Sequence, residues 1–144
     1  MNNAITIHVP AVPVAQPRAR ATSIGGKARM YEAKKEHPVY AYKATVRMAC
    51  CQAYKGKPLT GPLSVEMTAL FPRPGRLIWK KRPMPRERHV GAPDVDNLEK
   101  SAFDALNGLL WIDDGQICEA TIRKFYASGD EQPHVEIVVR EIGT

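Results

Sequence analysis

Between residues 94 and 114 the chain gathers side chains that could work on a phosphodiester: Asp94, Asp96, Lys100 and the pair Asp113-Asp114. If residues 93–96 are extended, the period of two points Asp94 and Asp96 the same way. Lys100 lies four residues beyond Asp96, one turn up the same face of a helix. Asp114 follows that helix and a short return, so it can come back to the same end of a sheet. Three carboxylates beside one lysine form a hard-oxygen site suited to Mg²⁺, with Mn²⁺ as a possible substitute. Such an ion lowers the pKa of a bound water and offsets charge on a scissile phosphate. The lysine would stabilise the negative transition state or help position the nucleophile. A plainer reading is available for the same residues: Asp-x-Asp-Asn as a helix cap and Asp-Asp-Gly as a turn. On spacing alone the two readings stand level. Asp104, four residues after Lys100, would orient that lysine or simply sit on the surface.

The charge distribution favours the catalytic reading. Residues 1–93 hold 17 Lys/Arg against 4 Asp/Glu, whereas residues 94–144 hold 4 against 11. A basic field next to an acidic cluster points to a polyanionic partner, most simply nucleic acid. Two stretches carry much of it. Residues 10–38 read as an irregular loop with Arg18, Arg20, Lys27 and Arg29, suited to backbone phosphates or to plain solvation. Residues 72–93 hold five prolines and seven basic residues, among them Arg73, Arg76, Lys80, Lys81, Arg82, Arg86 and Arg88, with Trp79 set before the basic run. Proline at this density resists helix and central strand. The segment reads as a basic loop that tracks DNA, or as a solvated one whose Trp79 packs back on the domain.

The elements that must position these groups are readable. Ile5–Val9 alternates and stops at Pro10, a first strand. Val39, Tyr42, Val46, Ala49 and Ala53 make the apolar stripe of a helix from Val39 to about Tyr54. Leu63–Phe71 alternates cleanly as a strand. Asp96 to about Leu109 reads as a second helix, with Asp96 and Glu99 at capping-box spacing and Asn107-Gly108 at its end. Ile117–Tyr126 and His134–Ile142 read as a closing antiparallel hairpin around a polar loop at 127–132. The order β-α-β-α-β-β predicts a single α+β domain over residues 1–144, a mixed sheet with helices packed on it.

Other classes find little support. No run approaches the ~20 apolar residues of a membrane span. The three cysteines, Cys50, Cys51 and Cys118, fit neither a zinc pattern nor an even disulfide framework. A reducing, cytoplasmic setting is the expectation. His8, His37, His89 and His134 have no ligand spacing with one another, and no P-loop, dinucleotide fingerprint or nucleophile elbow occurs.

The run Asp94-Val95-Asp96-Asn97-Leu98-Glu99-Lys100-Ser101-Ala102-Phe103-Asp104-Ala105-Leu106, followed by Trp111-Ile112-Asp113-Asp114-Gly115-Gln116-Ile117, resembles the RusA family of Holliday junction resolvases of bacteria and their prophages. The resemblance implies a Mg²⁺-dependent endodeoxyribonuclease acting as a homodimer, each subunit nicking one strand of a four-way junction in recombination and repair. By motif position it makes Asp94, Asp96 and Asp114 the catalytic metal ligands and Lys100 the essential lysine, with Asp113 the lesser of its pair. The stretch 72–93 is longer than in compact members, and Val90-Gly91-Ala92-Pro93 stands where a basic run would. Two alternatives accompany this reading: a junction-binding prophage protein that does not cleave, and a Mg²⁺ nuclease for other branched DNA or RNA.

Overall fold

The alternation of Leu63, Val65, Met67, Ala69 and Phe71 buries that face of one long strand, and the rest of the domain is assembled on it. The computed structural model describes residues 4–17, 20–24, 27–31, 37–79 and 84–143, with backbone only in 20–24 and 27–31. The elements are β1 (Ile5–Val9), β2 (Arg20–Ile24), β3 (Lys27–Tyr31), α1 (Pro38–Ala53), β4 (Leu63–Phe71), β5 (Glu87–Arg88), α2 (Val95–Leu106), β6 (Ile117–Tyr126) and β7 (His134–Glu141). Five strands form one mixed sheet in the order β1-β7-β4-β6-β5. β4 runs parallel to β6 and antiparallel to β7. Both helices contribute to the same buried cluster as the sheet's inner face, so the domain is α+β, as expected.

Two departures from the expected order have physical causes. β6 and β7 run in opposite directions, yet they are not a hairpin, because β4 lies between them and bonds to both. Skipping one strand takes only ~10 Å, two strand spacings, which the linker 127–133 spans easily. β4 takes the centre because its nine residues bury every position on one face, and Leu70 on the other. The second departure is in 10–38, expected to be irregular: 20–24 and 27–31 pair as an antiparallel two-stranded ribbon, with Ile24 opposite Lys27. Its sequence signal is Gly25-Gly26 between two short runs, a two-residue hairpin pattern hidden by the weak alternation around it.

Local chemistry sets the helix bounds. His37 caps α1, its Nδ1 accepting from the Val39 amide at 3.0 Å, and Pro38 occupies the first turn. Asn107 ends α2, and Gly108 takes φ +77, the left-handed conformation that glycine adopts cheaply. Leu98, Ala102, Phe103, Ala105 and Leu106 face the core, each large side chain contributing about 1.5–3 kcal/mol by burial. Across the helix pair, Lys43 Nζ bonds Asp104 Oδ2 at 2.8 Å and Arg47 Nη1 donates to the Ala105 carbonyl at 2.8 Å. Asp104 is thus an exposed residue engaged by α1 rather than by Lys100, so of the two expectations the surface position holds and the pairing with Lys100 is corrected. A long-range partner one helix away cannot be read from spacing along one helix.

A second ion pair holds the sheet's far end and sets a pH response. Arg86 Nε and Nη2 both meet the Glu131 carboxylate, at 2.9 and 2.6 Å. Chiefly through these bonds, the Glu131 carboxyl is pulled down from an ordinary 4.5 to about 2. A depressed carboxyl gives stability that is present above the unfolded value and lost as pH falls from about 4.5 towards about 2. Because the Arg86 side chain is 42% exposed, solvent screening reduces the pair to about 1 kcal/mol. We expect Glu131→Gln to lower the unfolding free energy read from urea melts at neutral pH by that amount, with the gap to the parent closing near pH 2.

Candidate active site

α2 enters the site through Asp94, which occupies the N-cap with φ −72 and ψ 150 but makes no side-chain cap bond to the helix amides. The cap expected at Asp96 lies two residues earlier, and Asp96 is already inside the first helical turn. Val95 and Asp96 are therefore helical, so the pleat argument for aligning Asp94 with Asp96 does not apply. Asp96 and Lys100 keep their one-turn relation. The strap 14–16 crosses the same helix: Ser101 Oγ donates to the Val14 carbonyl at 2.6 Å, and the Gln16 amide to the Asn97 carbonyl at 2.9 Å.

Asp114 is delivered by a return folded against Trp111. That indole is fully buried, lies edge-on to Phe103 with centroids 5.5 Å apart, and donates from Nε1 to Asn107 Oδ1 at 2.6 Å. The turn itself is closed by two side chains. Asp113 Oδ2 accepts from the Gly115 amide at 2.9 Å. Gln116 Oε1 accepts from the Ile112 and Asp113 amides, while its Nε2 donates to the Leu59 and Gly61 carbonyls. Asp113 is spent on the turn, which leaves Asp114 to face the cleft.

The result is an open cleft of about 470 Å³ lined by Asp96, Asn97, Glu99, Lys100, Phe103 and Asp114. It joins three of the four expected residues, Asp96, Lys100 and Asp114. Asp94 is exposed at the helix entrance and is not part of the lining. Glu99 is the residue that sequence reading missed: it was assigned to a capping box, yet its i, i+3 relation to Asp96 places both on one helical face. Burial first, then the Asp96 and Asp114 carboxylates, raises its carboxyl above the usual range. A raised carboxyl costs folding stability as pH rises through it. We therefore expect Glu99→Gln to raise the urea midpoint at neutral pH, with the gain shrinking as the pH is lowered through the carboxylate range.

The donor chemistry fits a hard divalent cation: carboxylate oxygens whose mutual repulsion a positive ion would relieve. Their present arrangement is open rather than closed. Among the described residues, no three His, Cys, Asp or Glu side chains form a group that would hold a metal as they stand. Asp96 and Asp114 are exposed on short polar side chains, so rotation about their side-chain bonds is the movement that closing a ligand set requires.

The basic residues divide sharply. Arg73 is committed inward: it donates to the carbonyls of Leu77, Pro85 and Ala127, bonds Glu87, lies 5.3 Å from the Trp79 ring, and is 6% exposed. It folds the proline-rich segment onto the domain, and its donors are engaged there. Arg86 is held by Glu131, and Arg88 lies 4.7 Å from the Phe125 ring. Arg76 is exposed on a short helical turn. Arg18, Lys80, Lys81 and Arg82 lie outside the described residues, as do the side chains of Arg20, Lys27 and Arg29.

Fold and site together define an α+β domain with an acidic, lysine-bearing cleft beside the first turns of α2. The sequence profile described as "Endodeoxyribonuclease RusA" matches residues 10–140, and the chain belongs to that family. It is also similar to "Uncharacterized protein YqaN" of Bacillus subtilis (strain 168), 33% identical over 135 residues, which cover 90% of this chain and 91% of that protein.

Proposed function

We propose that the protein is a Mg²⁺-dependent endodeoxyribonuclease that resolves four-way DNA junctions as a homodimer, two copies offering paired sites to symmetric strands. The observation that carries this is the convergence of Asp96, Glu99, Asp114 and Lys100 on one open cleft in a chain of this family. Asp96 and Asp114 would hold the ion, with Asp94 at the helix entrance completing the set. When bound, the ion supplies an activated water and an electrophile for the phosphate. The chain's own residues do the rest. Lys100, one turn from Asp96, places an ammonium where charge develops on the phosphate and donates to it. Gln116 fixes the turn, so the backbone that carries Asp114 stays in one place while its side chain turns to the ion. Glu99, partly buried between Asp96 and Asp114, adds a third anionic group that opposes phosphate entry until a cation is present.

A synthetic four-way junction incubated with the protein in Mg²⁺ should yield paired nicks, and chelation should abolish them. Nicking of flaps or RNA at equal rate would redirect the reading to another branched substrate. The open arrangement of the carboxylates favours a second reading, a junction binder that does not cut. Retention of intact junction on a gel, with no cleavage in Mg²⁺ or Mn²⁺, would select it. Both arms need matched salt, because affinity for DNA is dominated by phosphate contacts.

A further inference from the structure

Asp96 and Asp114 are placed by α2 and by the Gln116 turn, but neither device holds the segment that leads into Asp94. That segment, residues 89–93, includes Gly91 at φ +106 and leaves the short β5 pairing behind it. Its attachment is to Lys124 on β6. Lys124 Nζ donates to the Gly91 carbonyl at 2.5 Å and to the Pro93 carbonyl at 2.8 Å. The Lys124 carbonyl in turn accepts from the His89 amide at 3.2 Å. The His89 ring lies between Phe71 and Tyr126, with centroids 4.5 and 4.6 Å away, so the start of the segment is fixed to the ends of β4 and β6. One residue thus touches the backbone at 89, 91 and 93, the last being the residue before Asp94.

We infer that Lys124 is a positioning residue for the candidate site: it ties the backbone entering Asp94 to β6 and so fixes where that carboxylate stands relative to the cleft. The inference rests on the reading of Asp94 as a metal ligand. Two of the three ammonium donors go to neutral carbonyls rather than to a carboxylate. The contact is therefore with the chain's path and not with a charge, and it acts on the reaction only through Asp94. Lysine suits the task because its stem can lie along the apolar inner face beside Ile122 and Tyr126 while the head reaches the turn. Lys124→Met keeps the stem and removes the donors. Lys124→Arg keeps donors that can span two carbonyls.

The test compares the parent, Lys124→Met, Lys124→Arg and Asp94→Asn by hydrogen exchange without DNA and by single-turnover cleavage of a four-way junction in Mg²⁺. In Lys124→Met we expect exchange in peptides covering 89–98 to speed up about tenfold or more, with α1 and β4 unchanged. At saturating junction its cleavage rate should fall about 30-fold, with the half-saturating concentration within about twofold of the parent, since small misplacement of a catalytic group slows chemistry rather than binding. Lys124→Arg should recover most of both losses. Unchanged exchange in 89–98 overturns the inference. So does a raised half-saturating concentration at unchanged maximal rate, the signature of a direct phosphate contact. A parent that does not cut sinks the nuclease reading instead, and the exchange measurement still decides whether Lys124 holds the segment.

Discussion

Asp96→Asn should bind a four-way junction as well as the parent or better, and cut it about a thousandfold more slowly. The substitution keeps the size and shape of the side chain on the first turn of α2, so the helix and the cleft remain. What it removes is one negative charge from the cleft. With Glu99 and Asp114 beside it, Asp96 is one of a set of anions that a divalent cation would neutralise. On the proposed reading, binding draws on the chain's excess of basic residues and would gain from the loss of an anion opposite the phosphates. On the same reading, cleavage requires the ion and would lose it. The control is Asp113→Asn, one residue from Asp114. Its Oδ2 accepts from the Gly115 amide, a bond the asparagine carbonyl can retain, so its rate should stay within about threefold of the parent. Equal cleavage by Asp96→Asn and parent, measured in single-turnover reactions, would remove Asp96 from the site.

Trp111→Ala carries the largest expected cost in stability, about 3–5 kcal/mol. The indole is fully buried, packs edge-on against Phe103 of α2, and satisfies the Asn107 carboxamide at the helix end. Truncation leaves a cavity and an amide oxygen without its donor, two penalties of different origin. Against a typical total of about 5–15 kcal/mol, this removes a large share of the domain's stability. Trp111→Phe separates the two terms: it refills most of the cavity and loses only the hydrogen bond, for about 1–2 kcal/mol. Urea melts of the three proteins decide the matter. A cost below about 1 kcal/mol for the alanine variant would show that the return carrying Asp114 does not hang on this ring.

Much of the fold was legible because it is local. β1, β4 and β6 have the bounds their alternation predicts, and both helices lie within a few residues of their expected spans. The errors came from two sources. Some involve partners distant in sequence: Asp104 engages Lys43 on the other helix, and β4 inserts between β6 and β7. Others come from local signals with two uses. Asp96 and Glu99 fit a capping box, whereas the helix begins one residue before Asp96 and both side chains line the cleft. Arg73 belonged to a basic run in sequence, and only packing turned its donors inward.

The run Asp94–Lys100 with Asp113-Asp114 thus determined by itself the residue types, the helix face shared by Asp96 and Lys100, and the family. Side-chain chemistry and periodicity travel with the sequence, so these needed no fold. Tertiary structure decided which of the paired aspartates faces the cleft, because that depends on Gln116 bonding to Leu59 and Gly61, more than fifty residues away. It decided that Glu99 joins the acidic set. It also decided that Lys124, unremarkable in sequence, holds the backbone entering Asp94. Carbonyl positions are set by the closed fold, and no spacing along the chain encodes them.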